Sequence, residues 1–197
     1  MAEKEAGEFT PYYRATAERP PRPTLLAALD RFGDKIGFAV DLGCGQGRDT
    51  VELLRRGWRV LGIDAEKEAI AGLLARPGLP LDRLETRIAR FEDADWPPAD
   101  LVVSSFALPL CPPERFPGLW RKIVASLRPG GRFAGQFYGD RDSWAGRPGM
   151  TFLDRGAVEA LLSGLAVEMF EEEERDAVTP RGQPKHWHIW HVVARRD

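Results

Sequence analysis

Alternating apolar strands and helices predict an α/β fold, a mostly parallel sheet with helices on both faces. Three features carry this expectation. Apolar runs at 37–42, 58–63, 100–104 and 132–138 are separated by helical patterns. A glycine-rich turn, Gly43-Cys44-Gly45-Gln46-Gly47, follows the first run and opens a helix. The last two runs, 165–173 and 186–195, have no helix between them. They should pair as an antiparallel hairpin at one edge of the sheet.

Residues 1–23 are polar and Pro-rich with interspersed aromatics, so they cannot form a core of their own. They read as a floppy tail or an arm that folds over the body as a lid, and 24–197 as a single domain. Thr24 is placed to cap a helix that carries Leu25, Leu26, Leu29 and Phe32 at helical spacing and stops at Gly33. The strand at 37–42 comes next, and the helix at 49–56 turns Val51, Leu53 and Leu54 inward. The second strand, 58–63, leads into Asp64; a helix at 66–75 stops before Pro77-Gly78. A weak third strand at 84–89 and a fourth at 100–104 precede a helix at 114–127. Arg128-Pro129-Gly130-Gly131 reads as a turn before the fifth strand, 132–138, and 155–163 as the last helix. The acidic block Glu171–Glu174 reads as a solvated strand end.

Composition narrows the function classes. Lysine and arginine total 28 against 30 aspartate and glutamate, a net charge of -2. That balance gives no general hold on a phosphate backbone, so no nucleic-acid partner is expected. Two cysteines, Cys44 and Cys111, form no CxxC pair, and no disulfide framework or zinc site is expected. Residues 1–8 lack the pattern of a signal peptide, and no apolar run has the length of a membrane span. A cytoplasmic protein without membrane contact, monomeric or homodimeric, is the expectation.

Glycine at a strand-to-helix turn lets backbone approach a ligand closely and tolerates positive φ. The dinucleotide fingerprint requires a third glycine where Arg48 stands, which disfavours a nicotinamide cofactor. Asp64 ends the second strand about twenty residues on, suited to accepting from the ribose hydroxyls of an adenosine ligand.

From residue 24 onward the chain resembles the class I S-adenosylmethionine (SAM)-dependent methyltransferases, most closely the small bacterial, tellurite-resistance-type enzymes. Asp41-Leu42-Gly43-Cys44-Gly45-Gln46-Gly47 is similar to the family's first motif, and Asp64, followed by Ala65, to its ribose-binding acid. The stretch Phe91-Glu92-Asp93 resembles the segment that brings a carboxylate to the adenine amino group, with Glu92 preferred and Asp93 the other register. The strand ending in Ser104 is similar to the fourth motif, which faces the sulfonium. The resemblance implies a Rossmann-like seven-stranded sheet of order 3-2-1-4-5-7-6 with its last strand antiparallel. It also implies SAM as cofactor and S-adenosylhomocysteine (SAH) as product.

Methyl transfer needs alignment more than a fixed catalytic group. Three segments could wall the acceptor site: the arm with Tyr12 and Tyr13; the stretch after the fifth strand with Tyr138, Asp142 and Trp144; and the last strand with His186 and His188. Phe106, after the fourth strand, is a further acceptor-side candidate. Asp142, His186 and His188 are the candidates for moving a proton. The two histidines lack a visible third ligand, so no metal is expected. The absence of an Asn-Pro-Pro-Tyr-like tetrad at Ser104-Ser105-Phe106-Ala107 argues against base methylation. A small-molecule acceptor is therefore preferred over RNA or protein, and over a non-catalytic SAM- or nucleotide-binding relative.

Overall fold

The computed structural model describes Thr16 and residues 19–197. Tyr12, Tyr13 and most of the arm lie outside the described residues. The chain then runs α1 (Pro23–Phe32), β1 (Phe38–Leu42), α2 (Arg48–Arg55), β2 (Arg59–Asp64), α3 (Lys67–Leu74), β3 (Leu84–Ile88) and β4 (Ala99–Ser104). It continues with α4 (Phe116–Ser126), β5 (Leu127–Gly139), β6 (Phe152–Leu153), α5 (Arg155–Leu161), β7 (Ala166–Val178) and β8 (Pro184–Arg195).

The sheet order is β3-β2-β1-β4-β5-β8-β7, with β6 paired to β5. Counting the long strands alone, this is the expected 3-2-1-4-5-7-6. Strand β8 is antiparallel to both neighbours, and every other pairing is parallel. The eighth strand, β6, was not legible as one. It is two residues long and pairs with Tyr138 and Gly139 beyond the reach of β4.

Strand alternation divides the core into two layers. Val40, Leu61, Val102 and Phe137 face α4, where Phe116, Leu119, Trp120 and Ile123 are buried. Their neighbours Ala39, Val60, Leu101 and Val103 face α1 and α2 on the other side. The winding direction reverses between β1 and β4, which opens a crevice at the carboxyl ends of those strands.

Two local expectations are corrected. Thr24 does not cap α1. The helix begins two residues earlier, with Arg22 at the cap position, because Pro23 has its φ set for the first helical position and has no N–H to satisfy. The Thr24 hydroxyl instead accepts a 2.8 Å hydrogen bond from Gln136 Nε2. The Arg128–Gly131 turn lies inside β5 as an irregularity, where pairing jumps from Ala99–Leu127 to Leu101–Arg132. Edge strand β7 carries the acidic block. Glu172 and Glu174 pair with Arg141, and Glu173 with Arg175, so the exposed edge is charged and resists pairing with another chain.

Gly135 sits between β4 and β8, and a Cβ there would come within 2.4 Å of the Ser104 carbonyl oxygen. Gly135→Ala is expected to cost about 1–3 kcal/mol by overpacking. Thermal unfolding should register this as a fall of roughly 2–4 °C per kcal/mol; an unchanged midpoint would contradict the contact.

Candidate active site

The glycine loop hangs from the end of β2. Gly43 and Cys44 both donate backbone N–H to the Ile63 carbonyl, at 2.8 and 3.1 Å. Gly43, Gly45 and Gly47 have φ of 74°, 55° and 85°, conformations that disfavour any side chain. Space imposes the same choice. A Cβ on Gly43 would lie 2.2 Å from the Ala107 methyl, and one on Gly47 2.3 Å from Leu73 Cδ1. The loop is thus pressed between the residues after β4 and helix α3. The Phe91 ring stands beside it, 3.9 Å from the same Gly43 position.

Three carboxylates gather at this rim. Asp64 accepts from Gly45 N–H at 2.8 Å through one oxygen and from Glu66 N–H at 2.9 Å through the other. Asp41, fully buried on β1, accepts from the Thr50 hydroxyl at 2.6 Å. Burial, reinforced by the charge of Asp49, pushes the Asp41 carboxyl up to about 7, against the opposing Thr50 hydrogen bond. Asp49, at the start of α2, accepts from Arg22 N–H at 2.8 Å and from the Ser105 hydroxyl at 2.5 Å. An acid oriented at a strand end, an apolar ring beside a glycine turn and a local excess of negative charge fit one kind of ligand. That ligand brings ribose hydroxyls, an adenine ring and positive charge, as SAM does.

Other expected cofactor residues spread around this centre. Gln46 packs its side chain over Gly72 of α3, and Ala65 is exposed just past β2. Cys44 is buried with Ile70 and Leu73; burial, with Asp41 and Asp64 nearby, holds its thiol well above the ordinary range. It is a small residue that fits the turn. Glu92 is tied to Arg90 Nε at 2.6 Å with its side chain nearly covered, whereas the half-exposed Asp93 pairs with Arg115. The Ser104 hydroxyl is wholly buried and donates to the Leu42 carbonyl at 3.0 Å, which ties the end of β4 to the end of β1.

The acceptor-side candidates Phe106, Tyr138 and Trp144 come together in one aromatic cluster. Phe106 is, among the described residues, the non-glycine residue with positive φ, at 60°. Its N–H donates to Gln136 Oε1 at 3.1 Å, which holds this uncommon conformation. The cluster also contains Trp187, whose ring centroid is 6.4 Å from that of Phe106. Sequence reasoning passed over Trp187 in favour of the flanking histidines. It also passed over Arg22, whose guanidinium carbon lies 4.1 Å above the Phe106 ring. The segment before α1 is tied to the start of α2 through Arg22 N–H on Asp49 and Arg48 on the Pro20 carbonyl, and no local pattern announces that placement.

The three proton-transfer candidates are engaged in structural bonds. Asp142 is buried against Lys185, and both side chains are fully covered. Asp142 also accepts from Trp144 N–H at 2.9 Å and His188 N–H at 3.3 Å. Burial holds the Lys185 ammonium below its ordinary range, opposed by Asp142, and the ammonium lies 4.1 Å from the Trp144 ring centroid and 4.5 Å from that of Trp187. His188 is buried. Its Nδ1 accepts from Arg141 N–H at 3.1 Å, so Nε2 carries the proton and faces Glu172 at 3.1 Å. His186 lies on the opposite side of the strand from Trp187, between Asp176 and Glu174, which hold its imidazole above the ordinary range. Among the described residues no group of three or more His, Cys, Asp or Glu could hold a metal, and no helix is long and apolar enough to cross a membrane.

Fold and site define an α/β domain with a glycine loop and strand-end acids at the β1–β4 switch, where open sheets of this kind bind ligands. Residues 39–131 match the methyltransferase domain family. That stretch, a little under half of the chain, is the part that carries the methyltransferase likeness. The chain is 33% identical over 114 residues to a carboxy-S-adenosyl-L-methionine synthase of Citrifermentans bemidjiense, covering 54% of this chain and 46% of that protein. It is 31% identical over 132 residues to a trans-aconitate 2-methyltransferase of Acidovorax ebreus, covering 64% and 47%. The chain spans about half the length of these curated relatives. Among solved structures, TehB of Haemophilus influenzae superposes with a TM-score of 0.79 at 18% identity, covering 98% of this chain and 68% of that one. The Burkholderia thailandensis 1,6-didemethyltoxoflavin-N1-methyltransferase gives 0.69 at 21%, covering 96% and 84%. These two likenesses concern the fold.

Two predictions follow from the buried charges. Between its ordinary value of 3.8 and about 7, folded Asp41 keeps a proton that the unfolded chain has released. This group therefore makes stability fall as pH rises through that window, by up to ~1.4 kcal/mol per pH unit. In denaturant titrations at about pH 5 and about pH 7.5, Asp41→Asn should lose less stability between the two than the wild type; equal losses would refute the buried acid. Asp142→Ala leaves Lys185 buried without its partner and should cost roughly 3–5 kcal/mol. Combining Asp142→Asn with Lys185→Met should cost less than that single change, measured by the same unfolding titrations.

Proposed function

We propose that the chain transfers a methyl group from SAM to a small-molecule acceptor, chiefly by positioning. The observation that carries this reading is the meeting of Gly45 N–H and the Asp64 carboxylate, 2.8 Å apart, at the crevice between β1 and β4. In it, Asp64 takes the ribose hydroxyls, and the backbone of Gly43–Gly47 with Ser104 holds the methionine part. Phe91 and Glu92, or Asp93 in the other register, take the adenine. When bound, SAM supplies a methyl group on a sulfonium leaving group. The carboxylates of Asp49 and Asp64 set a negative field along the rim that favours this cation. Phe106, Tyr138, Trp144 and Trp187 form the acceptor side, an apolar wall that excludes water and orients the nucleophile. A compact acceptor is supported by this aromatic cluster beside the strand ends and by the net charge of -2, which offers a nucleic acid little attraction.

Titration calorimetry should show binding of both SAM and SAH. Asp64→Ala should weaken it roughly 10–100-fold, the loss of charge-assisted hydrogen bonds, with circular dichroism confirming a folded variant. Absence of binding to the native chain would defeat the reading. Acceptor panels of thiols, phenols, amines, carboxylic acids and oxyanions, followed by SAH release, test the small-molecule part. Turnover with RNA or protein alone would overturn it.

A further inference from the structure

We infer that the acceptor carries a carboxylate on an apolar or aromatic body, and that Arg22 and Trp187 bind this group; the inference rests on the methyltransferase reading above. The starting point is a pair of orphaned donors. Arg22 Nε and Trp187 Nε1 are both buried, and neither finds an acceptor among the described residues. Buried N–H groups almost always have partners, and leaving one unmade costs more than a typical bond contributes. Both orphans belong to side chains packed on the same ring. The Arg22 guanidinium lies 4.1 Å over Phe106, and the Trp187 ring meets Phe106 edge-on at 6.4 Å between centroids.

Both donors are held in advance. The Arg22 N–H is fixed on Asp49, and the next residue starts α1. Phe106 is fixed by Gln136, which is itself anchored on Thr24. The Trp187 ring is braced by the Lys185 ammonium at 4.5 Å, and that ammonium is neutralised by Asp142. Neither oxygen of Asp49 is bound to the Arg22 guanidinium: one accepts from the Arg22 backbone N–H and the other from the Ser105 hydroxyl. A planar cation and an indole N–H, both lacking an acceptor, call for an acceptor-rich anionic group, and a carboxylate matches the guanidinium fork. The surrounding rings of Phe106, Tyr138, Trp144 and Phe152 suit an apolar body better than a bare inorganic oxyanion.

The test uses the full chain saturated with SAH, at fixed ionic strength. Benzoate, phenylacetate, indole-3-acetate and succinate are titrated beside the corresponding amides and beside selenite as a bare oxyanion, followed by tryptophan fluorescence and calorimetry. At least one carboxylate should bind roughly tenfold or more tightly than its amide and than selenite. Arg22→Met should abolish that preference, and Arg22→Lys should restore part of it. SAH affinity should stay within about twofold in both variants, because the group bound is the acceptor's. Carboxylates that bind no better than their amides, or selenite that binds as tightly, would overturn the inference and leave the methyltransferase reading standing. So would a parallel loss of SAH affinity in Arg22→Met, which would put the guanidinium on the cofactor's own carboxylate. Failure of the native chain to bind SAH would instead remove the reading on which the inference rests.

Discussion

The site depends on one close approach, the glycine loop hung on the Ile63 carbonyl near the end of β2. Ile63 receives two loop N–H groups and the adjacent Asp64 a third, so the loop path is set by backbone hydrogen bonds. Ala107 and Leu73 then fill the space where side chains would stand at positions 43 and 47. Because Ala107 presses on the loop, the chain leaving β4 can take only a narrow route. That route brings Ser105 to Asp49 and turns Phe106 into a left-handed conformation. Such a conformation costs of order 1–3 kcal/mol and persists only when its surroundings determine it. Gln136 supplies that restraint from the centre of β5.

Phe106 consequently joins two halves of the rim. On one side lie the loop and its acids; on the other lies the aromatic cluster built by β5, β8 and the loop between Gly139 and Phe152. The second half is held by a buried ion pair, a costly device. Removing Lys185 and Asp142 from water carries a desolvation penalty that their attraction offsets only with good geometry and further hydrogen bonds. Asp142 has those bonds, to two backbone N–H groups, and Lys185 is enclosed by three aromatic rings. The pair pins the loop to β8 and keeps Trp144 and Trp187 in place.

Much of the fold was readable because its signals are local. Strand β1, helix α2, strand β2 and helix α3 were each placed within a residue or so by apolar spacing and glycine stops. The misses have a common cause. Thr24, the Arg128–Gly131 turn and β6 all have local chemistry that tertiary partners redirect: Gln136, the continuous β4–β5 pairing and the far end of β5. Asp142 and His188, candidates for moving a proton by residue type, have partners that no local pattern gives. Those partners are Lys185, Glu172 and the backbone of the loop.

The sequence by itself determined the α/β class, the place of the glycine loop and the acids at the ends of β1 and β2, because strand period, turn chemistry and strand-end acids are written in adjacent residues. It could also name Phe106, Tyr138 and Trp144 by their location after strands. Only the tertiary structure decided that these three share one cluster, that Arg22 lies across Phe106, and that Trp187 rather than its histidine neighbours meets that ring. Arg22 and Trp187 each lie more than eighty positions from Phe106 in the chain, and these contacts form only when the crossovers of the sheet bring its carboxyl ends together.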